Sequence, residues 1–166
     1  MYGSQRVALM EGVFDWFNDH VRTVNGVIQT LNIGKGFEQC LSAAEEENIK
    51  FYKLTGLSNT RFAAYFERSL SNFEKSFPVI VKALKDRASS KDKDTKDNAS
   101  SFLRRILTKT FICQHLGLID IYRTLGTYSC LLQSVEQLSW TVPEKVQELI
   151  HSLRAMKNLL DGLQMI

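Results

Sequence analysis

The chain predicts an all-α fold: an irregular bundle of about five to six helices around a buried central helix. Three observations carry this. Apolar residues recur at steps of three and four over long stretches, the spacing that collects side chains on one face of a helix. Two prolines and nine glycines in 166 residues leave little punctuation, which favours few, long elements. No stretch sustains the alternation of a strand; residues 77–81 come nearest, but Pro78 and the following Lys82-Ala83-Leu84 favour a helix.

The first helix is predicted from about Ser4 to Leu31, with Val7, Met10, Phe14, Phe17, Val21, Val24, Ile28 and Leu31 on one face. Ser4 is a candidate N-cap, because its hydroxyl can accept from a free amide of the first turn. A second apolar row, Leu9, Val13 and Trp16, lies beside the first, so the front half of this helix is sandwiched in the core or faces a partner. Gly34 and Gly36 end it. A short helix follows over about 37–51, with Phe37, Cys40, Leu41 and Ala44 facing inward. After a loop at Leu54 to Leu57, Ser58 or Asn59 caps a third helix that carries Phe62, Tyr65, Phe66, Leu70 and Phe73. Pro78 opens a new helix after Ser76, at the first-turn position where its missing N–H costs nothing.

Residues 88–101 are rich in Ser, Lys and Asp and show no apolar face, which predicts a mobile exposed loop over about 88–100. The central helix is expected over about 101–137, where Phe111, Ile112, Leu116, Leu118, Ile119, Ile121, Tyr122 and Leu125 leave almost no polar side. Pro143 starts the last helix, with Val142, Val146, Leu149, Leu153, Met156, Leu160 and Leu163 in one stripe.

Composition sets the functional limits. With 44% hydrophobic residues the chain can build the core of a single domain over 1–166. It has no apolar run of bilayer length and no signal-peptide h-region at its start, so neither membrane nor secretion is expected. Three cysteines without paired spacing suit a reducing nuclear or cytoplasmic setting. Charge is uneven. Residues 82–109 hold nine basic and four acidic side chains, a net +5, which leaves about −2 for the rest of a chain whose formal charge is +3.

Catalytic and metal-binding patterns are sparse. Cys113 and His115 point about 200° apart on a helix and cannot share an ion. No paired Cys-x-x-Cys or His-x-x-x-His spacing occurs, so buried thiols and surface or capping histidines are expected, with no cofactor. Glu11, Asp15 and Asp19 line one helix side, but away from the apolar stripe, as a solvated face. Neither a Gly-x-Ser-x-Gly elbow nor a phosphate-cradling glycine loop is present. The basic segment is the best candidate for a ligand: Lys82, Lys85, Arg104, Arg105 and Lys109 are expected to touch nucleic-acid phosphates.

The stretch Leu57-Ser58-Asn59-Thr60-Arg61-Phe62-Ala63-Ala64-Tyr65 resembles the "Thr-Arg-Trp/Phe" stretch of hAT-superfamily DNA transposases and their domesticated descendants, with Phe62 in place of the more frequent Trp. Asp15-Trp16-Phe17-Asn18 through Ile33-Gly34-Lys35-Gly36-Phe37 is similar to the helix and glycine turn before that motif. The stretch from Asn72-Phe73 to Leu84, with Phe77-Pro78, resembles the segment after it. Leu116 to Tyr122 and Trp140 to Gln147 also look like family segments. The resemblance implies a helical insertion within a ribonuclease-H-like transposase, from just after the second catalytic carboxylate. The three Mg²⁺-binding carboxylates of such enzymes have no match here. What it implies is a catalytically inert scaffold that contacts DNA phosphates, a second copy, or another protein. A bundle devoted to protein interaction or self-association, without nucleic-acid binding, is the alternative. Its partner surface is expected at Leu9, Val13 and Trp16.

Overall fold

A computed structural model describes the backbone of residues 2–57, 63–133 and 142–163, and the side chains of 15–57, 63–131 and 142–157. The described residues form seven helices and no strand: α1 (Tyr2–Leu31), α2 (Lys35–Glu46), α3 (Ala63–Lys75), α4 (Phe77–Ala88), α5 (Lys93–Ile106), α6 (Lys109–Gln133) and α7 (Val142–Leu163). The fold is the all-α bundle that the periodicity predicts, with one or two helices more than expected.

The extra helix is α5, in the stretch that composition marks as a mobile loop. This is a correction, and its causes are local. The Asp92 carboxylate accepts from the Thr95 backbone N–H at 3.0 Å and caps the helix. Ala99 and Ile106 are fully buried, and Phe102 and Leu103 pack partly buried on the core beside them. These four apolar positions form a stripe confined to the second half of the helix. The charged first half faces water. The long helix expected over 101–137 breaks at 107–108, where Thr108 Oγ1 donates to the Arg105 carbonyl at 2.9 Å and accepts from the Phe111 N–H at 3.2 Å. Thr108 thus ends one helix and caps the next.

The core contains Val24, Val27, Ile28 and Leu31 of α1, Leu70 and Phe73 of α3, and Val79, Ile80, Ala83 and Leu84 of α4. Helix α6 packs chiefly against α3 and α7, and also touches α1 and α5. It buries Phe111, Leu118 and Ile119 but leaves Ile112, Leu116 and Leu131 exposed, so its apolar girdle is covered on one side only. Helix α2 is rotated from expectation: Cys40 and Ala44 are buried as predicted, but Gly36 and Ala43 take the inward places assigned to Phe37 and Leu41. Phe37 instead lies on the surface against Phe51, with ring centroids 6.1 Å apart. Pro78 sits in the first turn of α4 after Ser76, as its chemistry requires.

Between α2 and α3 the chain runs without regular structure over 51–57, and its backbone groups are satisfied by side chains. Asn25 of α1 clasps Leu57 from both sides: its Oδ1 accepts from the Leu57 N–H at 2.7 Å and its Nδ2 donates to the Leu57 carbonyl at 2.9 Å. Asn32 donates to the Leu54 carbonyl at 3.0 Å. From the other side, Asn72 reaches the Lys53 carbonyl, and the Ser76 hydroxyl accepts from the Tyr52 N–H. An irregular segment can lie against a core only when its polar backbone finds such partners.

Candidate functional site

The five basic residues singled out from sequence do not form one patch. Lys82 faces α2 and pairs with Glu46 and with Glu47, the latter at 3.2 Å. Hydrogen bonds to those two carboxylates raise its pKa and lower that of Glu46, so Lys82 is already spoken for. Lys85 is exposed in the last turn of α4, beside the short connection to α5. Arg104 and Arg105 lie at the opposite end of α5, and Lys109 opens α6. The structure therefore separates Lys82 and Lys85 from a second group, Arg104, Arg105 and Lys109, gathered at the corner where α5 turns into α6.

That corner has the features of an anion contact. Thr108 caps α6 by accepting from the Phe111 N–H, which satisfies one amide of the first turn, and the positive end of the helix dipole lies at the corner beside Lys109 and Thr110. A cleft beside it is bordered by Arg104, Arg105, Thr108, Thr110 and, from α1, by Asp19 and His20. Arg105 is partly engaged: its Nη1 lies 3.5 Å from both Asp19 Oδ1 and Thr23 Oγ1 of α1. Arg104 is exposed.

Beneath the cleft is a feature that spacing along the chain did not reveal. His20 and His115 are buried, not on the surface or at caps, and His20 Nε2 lies 3.0 Å from His115 Nδ1. His115 Nε2 lies 3.1 Å from the Leu70 carbonyl of α3. A carbonyl only accepts, so Nε2 of His115 carries a proton. Its Nδ1 is then bare, and His20 must donate to it from Nε2. His20 Nδ1 is left as a buried acceptor without a partner among the described residues. The pair is embedded in rings: His20 stacks on Phe111 at 4.5 Å, and His115 packs against Phe73 at 5.1 Å and Phe111 at 5.7 Å. Burial, reinforced by His115, pushes the His20 pKa down to about 4, and burial lowers that of His115 as well.

Among the cysteines only Cys40 is buried, where desolvation raises its thiol to about 11; Cys113 and Cys130 are exposed, against expectation. Among the described residues no group of three His, Cys, Asp or Glu is placed to hold a metal ion, and no helix is long and apolar enough to cross a membrane. Trp16, expected on a partner surface, is half-buried and packs on the core, edge to face with Phe17 at 6.3 Å. Leu9 and Val13 lie on α1, but their side chains fall outside the described residues, as do Thr60, Arg61 and Phe62 entirely. No family model, curated protein or solved structure matches the chain.

Proposed function

We propose that this chain is a catalytically inert, transposase-derived helical scaffold that touches nucleic-acid backbones through the α5–α6 corner. The observation that supports it is the placement of the exposed Arg104, Arg105 and Lys109 on either side of the α5–α6 break, beside the positive end of the α6 dipole. The contact is to phosphates, which position a protein on a duplex and carry no sequence information directly. A nuclear location suits this work.

The test is binding of a labelled duplex at low salt. Each phosphate neutralised contributes about −0.9 to the slope of log affinity against log salt. Replacing Arg104, Arg105 and Lys109 with alanine is expected to abolish the retarded species, whereas Lys82→Ala, which breaks an internal ion pair, leaves it in place. Unchanged mobility of the duplex with the wild-type chain would remove this reading.

A second reading has its own observation. Ile112 and Leu116 are 39% and 47% exposed on α6. They border a shallow apolar groove with Phe77 and Pro78 of α4. Such a surface fits a protein-interaction or self-association bundle without nucleic-acid binding. This predicts a mass by light scattering that rises with concentration and falls to the monomer in Leu116→Asp. A strict monomer throughout would count against self-association.

A further inference from the structure

We infer that the His20–His115 hydrogen bond is a proton-opened latch that holds α1 across the α5–α6 corner and keeps Arg105 tied to Asp19 and Thr23. The argument starts from the nitrogens. Three of the four ring nitrogens in the pair are committed: His115 Nε2 to the Leu70 carbonyl, and His115 Nδ1 and His20 Nε2 to each other. The fourth, His20 Nδ1, is the only lone pair left to take a proton, and it is buried with no acceptor beside it among the described residues. Protonation there creates a charge and a hydrogen-bond donor that the closed structure cannot satisfy. Opening α1 lets water satisfy both.

The charged neighbours reinforce this. From α5, Arg104 and Arg105 border the same cleft as His20 and oppose a further positive charge. Asp19, on α1 itself, is the one carboxylate among the described residues that borders the cleft, and it is engaged by Arg105 and by Arg22. From α3, Glu74 borders the groove that His115 reaches on the far side. From α4, Phe77 and Pro78 contribute no charge there, and from α6 the neighbours are Phe111 and the neutral Gln114.

Residues 19, 20 and 23 occupy one side of one turn of α1, so releasing His20 also releases Asp19 and Thr23. Arg105 then loses both of its contacts to α1 and becomes available at the corner. The latch stands on the histidine geometry alone; its consequence for phosphate contact rests on the function proposed above.

The sign follows from the directions. His20 is held neutral in the closed state and returns to about 6.5 when α1 opens. Closure is therefore fully favoured above that value and is lost progressively as pH falls towards about 4. The experiment uses the full chain. Nitrogen-15 spectra of the histidine rings report tautomer and titration, and backbone amide exchange, corrected for its intrinsic pH dependence, reports α1 protection between pH 7 and 4. The expected results are a neutral His20 with its proton on Nε2, titrating well below a free histidine, and α1 protection that falls as pH drops. His20→Gln can still donate to His115 but does not titrate, and it keeps every carboxylate. Wild-type protection is expected to fall more steeply than the variant's by about tenfold per pH unit, the effect of one proton.

A His20 that titrates like a free histidine, or α1 protection unchanged through its titration, would overturn the latch, and the wild-type spectra decide this even where the variant does not fold. In a separate arm, Asp19→Asn is expected to tighten binding of a labelled duplex. With the histidine results as expected, a duplex retarded by neither wild type nor Asp19→Asn would sink the nucleic-acid reading and leave the latch standing, whereas equal retardation by both would overturn the release of Arg105.

Discussion

Placing an aspartate at Ala99 tests helix α5 where composition and structure disagree most. Ala99 is fully buried on the side of α5 that meets the core, whereas Asn98, one residue earlier, is exposed. Ala99→Asp and Asn98→Asp introduce the same carboxylate one position apart. On an exposed loop the two are equivalent, and each changes stability by no more than about 0.5 kcal/mol. On the helix they differ sharply. A carboxylate buried without a partner stays neutral, so at pH 7 folding must hold it protonated against a free pKa of about 3.9. That costs about 4 kcal/mol at 1.36 kcal/mol per unit, before any strain from the added atoms. The sign of the pH dependence follows: the folded pKa is raised, so the penalty is largest at high pH and shrinks as pH falls. Between pH 7 and pH 5 about 2.7 kcal/mol of it should disappear. Urea denaturation of both variants at the two values, each against wild type, measures this directly. Equal midpoints for the two variants, or an Ala99→Asp penalty indifferent to pH, would refute the placement of α5.

Two further outcomes probe how α1 is tied to its surroundings. A Cβ at Gly36 would lie 2.4 Å from the Thr30 carbonyl oxygen and 3.0 Å from Leu31 Cα, both backbone atoms, so Gly36→Ala should lower stability by about 1–3 kcal/mol or more. Gly34→Ala meets nothing within 4 Å but must adopt a φ of +54°, and a cost of about 1 kcal/mol is expected. Thermal unfolding of the two variants ranks them. Asn25→Ala removes both hydrogen bonds to Leu57, and each polar group it strands costs about 1–3 kcal/mol. Amide exchange across 51–57 should accelerate in that variant while α7, which packs on α6, is unchanged.

Much of the bundle was legible because burial and helical period coincide. Val24, Ile28 and Leu31 of α1, and Phe66, Leu70 and Phe73 of α3, are buried where the three-and-four spacing puts them. The start of α4 was legible because proline has few permitted places. Helix α5 was not, because its apolar residues crowd into 99–106, and only helical packing turns that half-stripe into an interface. Read along the chain, Phe102, Leu103 and Ile106 merged with the apolar run that follows, and no glycine or proline marks the break at 107–108. A signal was present all the same: Asp92 and Thr108 are both strong capping residues placed one residue before a helix.

The candidate site was less visible for a different reason. Along the chain the basic residues from Lys82 to Lys109 are near neighbours and predict one patch. An antiparallel α4–α5 hairpin sends Lys85 to one end and Arg105 to the other, and Lys82 is claimed by carboxylates from residues 46 and 47. The histidine pair joins residues 95 positions apart, which no search for local ligand spacing can find.

Helix α1 shows what such patterns leave open. Its apolar stripe requires that it be buried, but Val, Ile and Leu are served equally well by any greasy neighbour. Its polar residues are not. His20 has one acceptor, on α6; beyond α1 itself, Thr23 and Asp19 meet Arg105 of α5; Asn25 and Asn32 answer carbonyls in a single irregular segment. Each of these groups would be stranded by a helix turned or shifted by one residue, at a cost of about 1–3 kcal/mol for every buried polar atom left unpaired. The apolar face supplies the affinity of α1 for the bundle, and the polar residues interleaved with it select one orientation. The same residues hold α1 over the corner where Arg104, Arg105 and Lys109 collect, so the contacts that make the fold unique also govern how much positive charge that corner presents.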